Sequence, residues 1–207
     1  MNMNFNKDLF DKTEAKEFGE FETLELGGHE VVILSAMEYT SEQTGNVSLK
    51  VCVDIAGNDA QAGFFKKQYD NNALAERKWP IGATRYFSLK DEQIAYLKGL
   101  ITAVEKSNPG FKFDVNGNWE QLKGKKVAGV FGLEEYQDQE GKIKTATRLT
   151  QIRSLDKLKE IKIPSVKMLD GSFVNYDEYK ATYKTNTVEA AKEIFTDVKV
   201  DDLPFEI

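Results

Sequence analysis

The clearest signal in the chain is a regular alternation of apolar and polar residues from Val47 to Ile55. Side chains two residues apart share one face of a β-strand, so this pattern predicts a strand with one face in a core. The preceding residues, Thr44-Gly45-Asn46, are typical of a hairpin turn. Another β-rich run extends from Val31 to Tyr39, after Gly27-Gly28. We therefore expect an antiparallel hairpin near the start of the folded domain.

Further along the chain the pattern predicts more strands and a single helix. β-character resumes over residues 62–69, a loop follows over 71–80, and strands are expected at 85–89, 126–136 and 143–152. Between them, Ile94, Leu97, Ile101 and Val104 have the spacing of an amphipathic helix over residues 91–106. Roughly five strands with one inserted helix outline a mainly β fold, an OB-like five-stranded barrel.

Four regions differ in composition. We predict a polar N-terminal arm over residues 1–24, an OB-fold nucleic-acid-binding domain over 25–155, a C-terminal extension over 156–196 and an acidic interaction tail over 197–207. The net charge of −6 is concentrated in the flanks, because residues 27–155 hold 17 basic and 16 acidic side chains. Net charge is therefore a poor guide to what the central domain binds.

Few residues are suited to catalysis or metal binding. The chain has one cysteine, Cys52, and one histidine, His29, so it holds no internal disulfide framework and no Cys-based zinc site. We interpret both residues as structural. No P-loop or dinucleotide fingerprint occurs. No apolar run approaches the roughly 18–20 residues that span a bilayer, and the N-terminus lacks the plan of a signal peptide. We expect an intracellular protein without catalytic activity, cofactor or metal.

Two regions interleave aromatic rings with cations. Residues 61–87 contain five basic and two acidic residues together with several rings, and residues 121–153 contain seven basic and four acidic residues. Cations neutralise phosphates and exposed rings stack on unpaired bases, a combination typical of proteins that bind single-stranded nucleic acid. This chemistry serves DNA and RNA alike. The pattern therefore predicts a single-stranded ligand and does not distinguish DNA from RNA.

From these two regions we predict a set of contact residues. The rings expected to stack on bases are Phe65, Tyr69, Trp79 and Trp119, and Trp79 is the best candidate because it lies in a polar loop. Each ring has an alternative role as part of the core. Each lysine has an alternative role in which its aliphatic stem covers the edge of the core. The cations expected to contact phosphates are Lys66, Lys67, Lys78, Arg85, Lys123, Lys125, Lys126, Lys144 and Arg148.

The end of the chain is acidic and then apolar. The residues Asp201, Asp202, Leu203, Pro204 and Phe205 resemble the acidic, Pro-Phe-ending tail of bacterial single-stranded DNA-binding proteins. That resemblance implies a docking segment for replication or recombination proteins. In the family the phenylalanine carries the terminal carboxylate, whereas here Glu206 and Ile207 follow. A partner that grips that carboxylate would bind this tail differently.

Several central segments are similar to a family of phage-encoded replication proteins. They are Gly27-Gly28-His29 with the strand after it, Asp54-Ile55, residues 107–111 and residues 122–127. That family is regarded as OB-fold single-stranded DNA-binding proteins. The resemblance spans residues 25–155 and implies this fold, this ligand and a place in the cytoplasm of a bacterial host. It assigns no individual contact residue.

We therefore expect a protein that coats and protects single-stranded DNA in phage replication, recombination or repair and recruits partners through its tail. The alternative from another class is an OB-like adaptor that binds a protein partner and does not coat DNA. A metal-dependent nuclease would need convergent carboxylates. The acidic residues Asp54, Asp59, Glu134 and Glu135 lack a recognisable spacing for that role.

Overall fold

The computed structural model describes residues 22–72 and 76–182. Two α-helices, α1 (Phe64–Asp70) and α2 (Ile94–Ser107), lie between strands of this part of the chain. Short 3₁₀ turns occur at Ile81–Ala83, Asp91–Gln93, Trp119–Leu122 and Leu155–Glu160. The strands are β1 (Gly27–Thr40), β2 (Val47–Ile55), β3 (Thr84–Ser88), β4 (Lys126–Gln137), β5 (Ile143–Arg153), β6 (Val166–Lys167) and β7 (Phe173–Val174).

All seven strands belong to one sheet. Its order is β3-β2-β1-β4-β6-β7, and β5 pairs with β4 as well. The pairs are antiparallel except for β4 with β6. Within residues 22–72 and 76–182 no pairing joins β3 to β5, so the sheet does not close into a barrel. The expected mainly β fold is confirmed, and the sheet has an opening between β3 and β5.

The alternation of apolar and polar residues located most strands closely. The strand predicted at 47–55 is β2, and β4 and β5 each extend one residue beyond the predicted 126–136 and 143–152. The predicted helix divides into the 3₁₀ turn Asp91–Gln93 and α2. Burial of Leu97, Leu100 and Val104 shows that the apolar face of α2 packs on the core, as its spacing indicates.

The β-strand expected over residues 62–69 is wrong, because this segment forms α1. Gly63 turns the chain with a φ of 69° immediately before the helix. The carboxylate of Asp54, at the end of β2, accepts hydrogen bonds from the N–H groups of Ile55 at 2.9 Å and Phe65 at 3.0 Å. Asp54 therefore satisfies a backbone donor in the first turn of the helix, which has no partner within the helix itself.

The core lies between the sheet and the helices α1 and α2. Strands β1 and β5 carry β-bulges, between Ile33 and Ser35 on β1 and between Leu149 and Gln151 on β5, opposite Val130 and Phe131. Such bulges bend strands and increase their twist, which curves the sheet around the apolar interior. Side chains that pack in this interior include Val31, Ile33, Leu49, Val51, Val53, Phe64, Phe65, Leu100, Val104, Leu122, Val127, Phe131 and Leu149.

His29 and Cys52 are both buried and engaged within the fold. Nδ1 of His29 lies 3.1 Å from each carboxylate oxygen of Asp59, and Nε2 lies 3.0 Å from the carbonyl oxygen of Glu25. These contacts tie the start of β1 to the loop after β2. Sγ of Cys52 lies 3.7 Å from the hydroxyl of Thr84, across the β2–β3 pair.

Candidate nucleic-acid interface

A groove of about 1050 Å³ lies where β3 and β5 face each other. Its walls come from β3, β5, α2 and residues 164–173, and the buried Leu100 and Leu149 contribute to its lining. Next to β3, Gly82 packs closely on β5, since an added Cβ would lie 2.8 Å from the carbonyl oxygen of Thr147. The groove thus follows the facing edges of β3 and β5, which do not pair with each other within the described residues.

Three large aromatic side chains in the lining of this groove are exposed. Tyr96 of α2 is 73% exposed, Phe173 of β7 is 69% exposed and Tyr86 of β3 is 45% exposed. Aromatic rings contribute strongly to core packing when buried, so rings left on the surface around one groove are candidates for binding. Their flat faces suit stacking on an unpaired base.

The charge of the lining is positive. Arg85, Arg148, Arg153 and Lys167 line the groove together with a single carboxylate, Glu134. Lys167 forms an ion pair with Glu134. No carboxylate forms an ion pair with any of the three arginines within residues 22–72 and 76–182. The planar guanidinium group matches phosphate geometry, which makes these arginines suited to a polyanion.

Two of the three arginines contact neutral side chains. The guanidinium group of Arg153 donates to the side-chain oxygen of Gln151 at 2.8 Å. The guanidinium carbon of Arg148 lies 5.9 Å from the centre of the Tyr136 ring. These contacts orient both groups and leave their charge uncompensated by a carboxylate within the described part of the chain.

A pair of tyrosines extends the aromatic surface from the groove onto strands β1 and β2. The ring centres of Tyr39 and Tyr86 are 5.4 Å apart, and Nζ of Lys50 lies 5.8 Å from the centre of Tyr39. Lys50 is also the cross-strand partner of Tyr86. Partial burial, with a smaller contribution from Tyr39, raises the pKa of the Tyr86 phenol, so its hydroxyl stays neutral at physiological pH.

The expectation that Phe65 stacks on a base is wrong. Its ring is 3% exposed and lies in the core, 5.6 Å from Phe131 and 5.1 Å from Phe64 between ring centres. The error comes from the secondary structure. A strand would have sent these two neighbouring phenylalanines to opposite faces, whereas the first turn of α1 directs both into the core.

Trp79 and Tyr69 pack on each other beside the core. Their ring centres are 5.6 Å apart, and Nε1 of Trp79 donates to the carbonyl oxygen of Val53 at 3.1 Å. Trp79 is half-buried against the core. This tryptophan therefore anchors the loop after α1 to β2, which is a structural role that the polar surroundings in the sequence did not indicate.

Trp119 has a similar structural environment. Its ring stacks on Phe113 with 5.6 Å between centres, and Nε1 donates to a carboxylate oxygen of Glu38 at 3.2 Å. It is half-buried against the core. None of the four rings predicted to stack on bases lines the groove.

The predicted phosphate contacts divide into three groups. Only Arg85 and Arg148 line the groove. Nζ of Lys125 lies 4.4 Å above the ring of Phe111, and Lys78 and Lys123 are exposed without an ion pair among the described residues. The other four are paired with carboxylates: Lys66 with Asp70 at 2.8 Å, Lys67 with Glu22 at 3.8 Å, Lys126 with Glu30 at 2.7 Å and Lys144 with Asp138 at 2.7 Å.

The sequence analysis did not include Tyr86, Tyr96, Arg153, Lys167 and Phe173 among the contact residues. Tyr96 lies off the apolar stripe of α2, and a ring on the polar face of a helix is a signal that could have identified it. Arg153 falls inside the basic region that was recognised. No local pattern points to Lys167 or Phe173, because only the return of the chain to β4 brings them to the groove.

The carboxylates considered for a nuclease have other roles. Asp54 caps α1, and desolvation raises its pKa against the lowering effect of its backbone hydrogen bonds. Glu134 pairs with Lys167, and Glu135 accepts the N–H of Leu169 at 3.1 Å. In the described part of the chain no three His, Cys, Asp or Glu residues are grouped as metal ligands, and no helix there could cross a membrane.

Comparison with known proteins adds no family assignment. No protein-family model matches the chain, and no curated protein matches it either. The tail from Asp201 to Phe205 lies outside the described residues. The chemistry of the groove is therefore inferred from its own residues.

Proposed function

We propose that this protein binds single-stranded DNA and holds the strand in the groove between β3 and β5. One observation carries the proposal: exposed rings and arginines without carboxylate partners among the described residues share one surface. The rings offer faces to unpaired bases, and the arginines neutralise phosphates. In a duplex the base faces are covered by their neighbours, so this combination favours a single strand.

We infer that the sheet is of the OB type. Strand β1 pairs with both β2 and β4, β3 lies beside β2, β5 lies beside β4, and α2 connects β3 to β4. OB folds are partly open five-stranded barrels that bind oligonucleotides on the face of strands 2 and 3 and in adjoining loops. In this interpretation the groove occupies the opening of the barrel, and the pair of Tyr39 and Tyr86 continues the binding surface.

The protein would act by coating the strand, without turnover of a substrate. Such coating protects single strands during replication, recombination or repair. We further propose that the tail from Asp201 to Phe205 recruits proteins of these processes, since its carboxylates suit basic patches and its Pro-Phe pair suits an apolar pocket. Removal of residues 197–207 should leave DNA affinity unchanged or raised, and weaker DNA binding would contradict this role.

The proposal is tested by fluorescence anisotropy with labelled oligo(dT), a hairpin duplex and oligo(U), each at two salt concentrations. We expect the single strands to bind more tightly than the duplex. Three arginine contacts to phosphates should give a slope of log affinity against log salt of about −2, at about 0.7 per contact. Absence of binding, or binding insensitive to salt, would overturn the proposal and favour the adaptor.

A further inference from the structure

A small hairpin forms one wall of the groove and comes from the C-terminal extension. Strands β6 and β7 pair in antiparallel fashion, with Val166 opposite Val174 and Lys167 opposite Phe173. The N–H of Met168 donates to the carbonyl oxygen of Ser172 at 2.9 Å, and Gly171 completes the turn with a φ of 86°. This hairpin lies outside the segment of the chain that resembles an OB domain.

Three contacts fix the hairpin and the residue Pro164 before it to β4. Val166 is fully buried, and Lys167 pairs with Glu134 of β4. Glu135 accepts the N–H of Leu169 at 3.1 Å. Before the hairpin, Pro164 lies so close to Gly132 that an added Cβ would be 2.5 Å from its Cγ. The wall is therefore a built part of the fold.

The ring of Phe173 takes no part in this anchoring. It is 69% exposed, although its strand is held in place on both sides of the turn. It lines the groove together with Tyr96 and the three arginines. Leu169, in the same hairpin, is also exposed but does not line the groove. The exposed ring is thus directed to a surface whose charge suits a polyanion.

We propose that the β6–β7 hairpin is part of the nucleic-acid site and that Phe173 stacks on an unpaired base in the groove that Tyr96 also lines. This inference rests on the proposed function and adds a wall that the barrel strands do not supply. The occupant is a nucleic-acid strand. Its phosphates meet the positive charge of Arg85, Arg148 and Arg153, which line the same groove as Phe173, while one of its bases stacks on the ring. An apolar peptide would leave those charges unmatched.

The first test replaces Phe173 by alanine in the full chain and measures affinity for labelled oligo(dT). We expect a loss of roughly five- to 150-fold, the effect of removing one ring that stacks on a base. Leu169→Ala is the matched control, since it shortens another exposed apolar side chain of the hairpin. This control should leave the affinity unchanged. Unfolding curves of both variants establish that each is folded.

The second test places a fluorescent side chain at position 173, so that its emission reports contact between this position and DNA. Phe173→Trp places an indole in a groove whose lining contains no tryptophan. Addition of oligo(dT) should quench its emission beyond the change seen in the wild-type chain, which contains Trp79 and Trp119. Leu169→Trp should show no additional quenching, because that side chain does not face the groove.

The outcomes separate this inference from the proposed function. If Tyr96→Ala weakens binding but Phe173→Ala does not, the hairpin inference is overturned and single-strand binding stands. If Phe173→Ala lowers stability without changing the affinity of the folded protein, the ring packs on the chain itself and the inference is again overturned. If the wild-type protein binds no oligo(dT), both proposals fail.

Discussion

Two regions of this molecule contain the same kinds of side chain and use them differently. In residues 64–79, the rings of Phe65 and Trp79 pack in or against the core. In the groove between β3 and β5, Tyr96 and Phe173 remain exposed beside arginines without carboxylate partners among the described residues. Interleaved rings and cations in a sequence therefore do not by themselves define a binding surface.

The difference arises from what lies opposite each region. Helix α1 packs its first turn onto the sheet, so adjacent phenylalanines are both covered, and the lysines that follow meet carboxylates on the surface. The groove follows the edges of β3 and β5, which have no paired strand between them in the described part of the chain. Side chains around this opening, among them Tyr96 of α2 and Phe173 of β7, are left exposed.

The largest effect should separate the two regions by stability. Phe65→Ala removes a buried ring and should lower the free energy of unfolding by about 3–5 kcal/mol. Tyr96→Ala removes an exposed ring and should change it by only about 0.5 kcal/mol. Urea unfolding of both variants measures the difference. Equal losses would show that Tyr96 belongs to the core and would remove it from the groove.

The next effect concerns affinity. The double variant Arg85→Gln/Arg148→Gln should weaken binding of oligo(dT) by about 3 kcal/mol, since it removes two hydrogen bonds to charged groups and each contributes at least about 1.5 kcal/mol. The salt slope should fall by about 1.4, at about 0.7 per lost phosphate contact. Anisotropy titrations at several salt concentrations measure both quantities.

The matched control for this pair comes from α1. Lys66→Gln/Lys67→Gln removes the same number of charges from residues that pair with Asp70 and Glu22. We expect a smaller loss of affinity than for the arginine pair and an unchanged salt slope. A loss as large as that of the arginine pair would show that the surface of α1 belongs to the binding site. The two regions would then not differ in function.

A smaller effect tests the role of Trp79. Trp79→Phe keeps most of the ring but removes the donor to the carbonyl oxygen of Val53, which should lower stability by about 1 kcal/mol. Affinity for oligo(dT) should not change, because the ring does not line the groove. Weaker binding at unchanged stability would mean that Trp79 contacts bases, as its place in a polar loop suggested.

Much of the fold could be predicted from the sequence, because β2 alternates apolar and polar residues and β1 and β4 contain apolar runs. The segment of α1 could not be predicted in this way. The N–H of Phe65 in its first turn donates to the carboxylate of Asp54, a residue of the preceding strand that lies 11 positions earlier. Such a contact has no local signature.

The candidate site was predictable only in its chemistry. Rings and cations were identified as the binding groups. The predicted phosphate contacts included Arg85 and Arg148, which line the groove. Exposure decides which of them can bind, and exposure depends on which strand edges stay unpaired. Phe173 and Lys167 could not be found, since the parallel pairing of β6 with β4 brings them to the groove from a distant part of the chain.

The smallest effect tests the contact between Asp54 and the first turn of α1. Desolvation raises the pKa of Asp54 above 3.8, so the folded protein binds this proton more tightly than the unfolded chain does. Its contribution to stability is fully present below pH 3.8 and is lost as the pH rises through the folded pKa. Relative to Asp54→Asn, which can keep the hydrogen bonds through its amide oxygen, the wild-type protein should lose stability with rising pH.

Asp138 provides a control of opposite sign. The hydrogen bond from Lys144 lowers the pKa of Asp138 below 3.8, so its contribution is present above that pH and is lost as the pH falls through the folded pKa. Urea unfolding from pH 3 to 7 should therefore give opposite trends for Asp54→Asn and Asp138→Asn, each relative to wild type. Parallel trends would mean that Asp54 is not desolvated by the packing of α1.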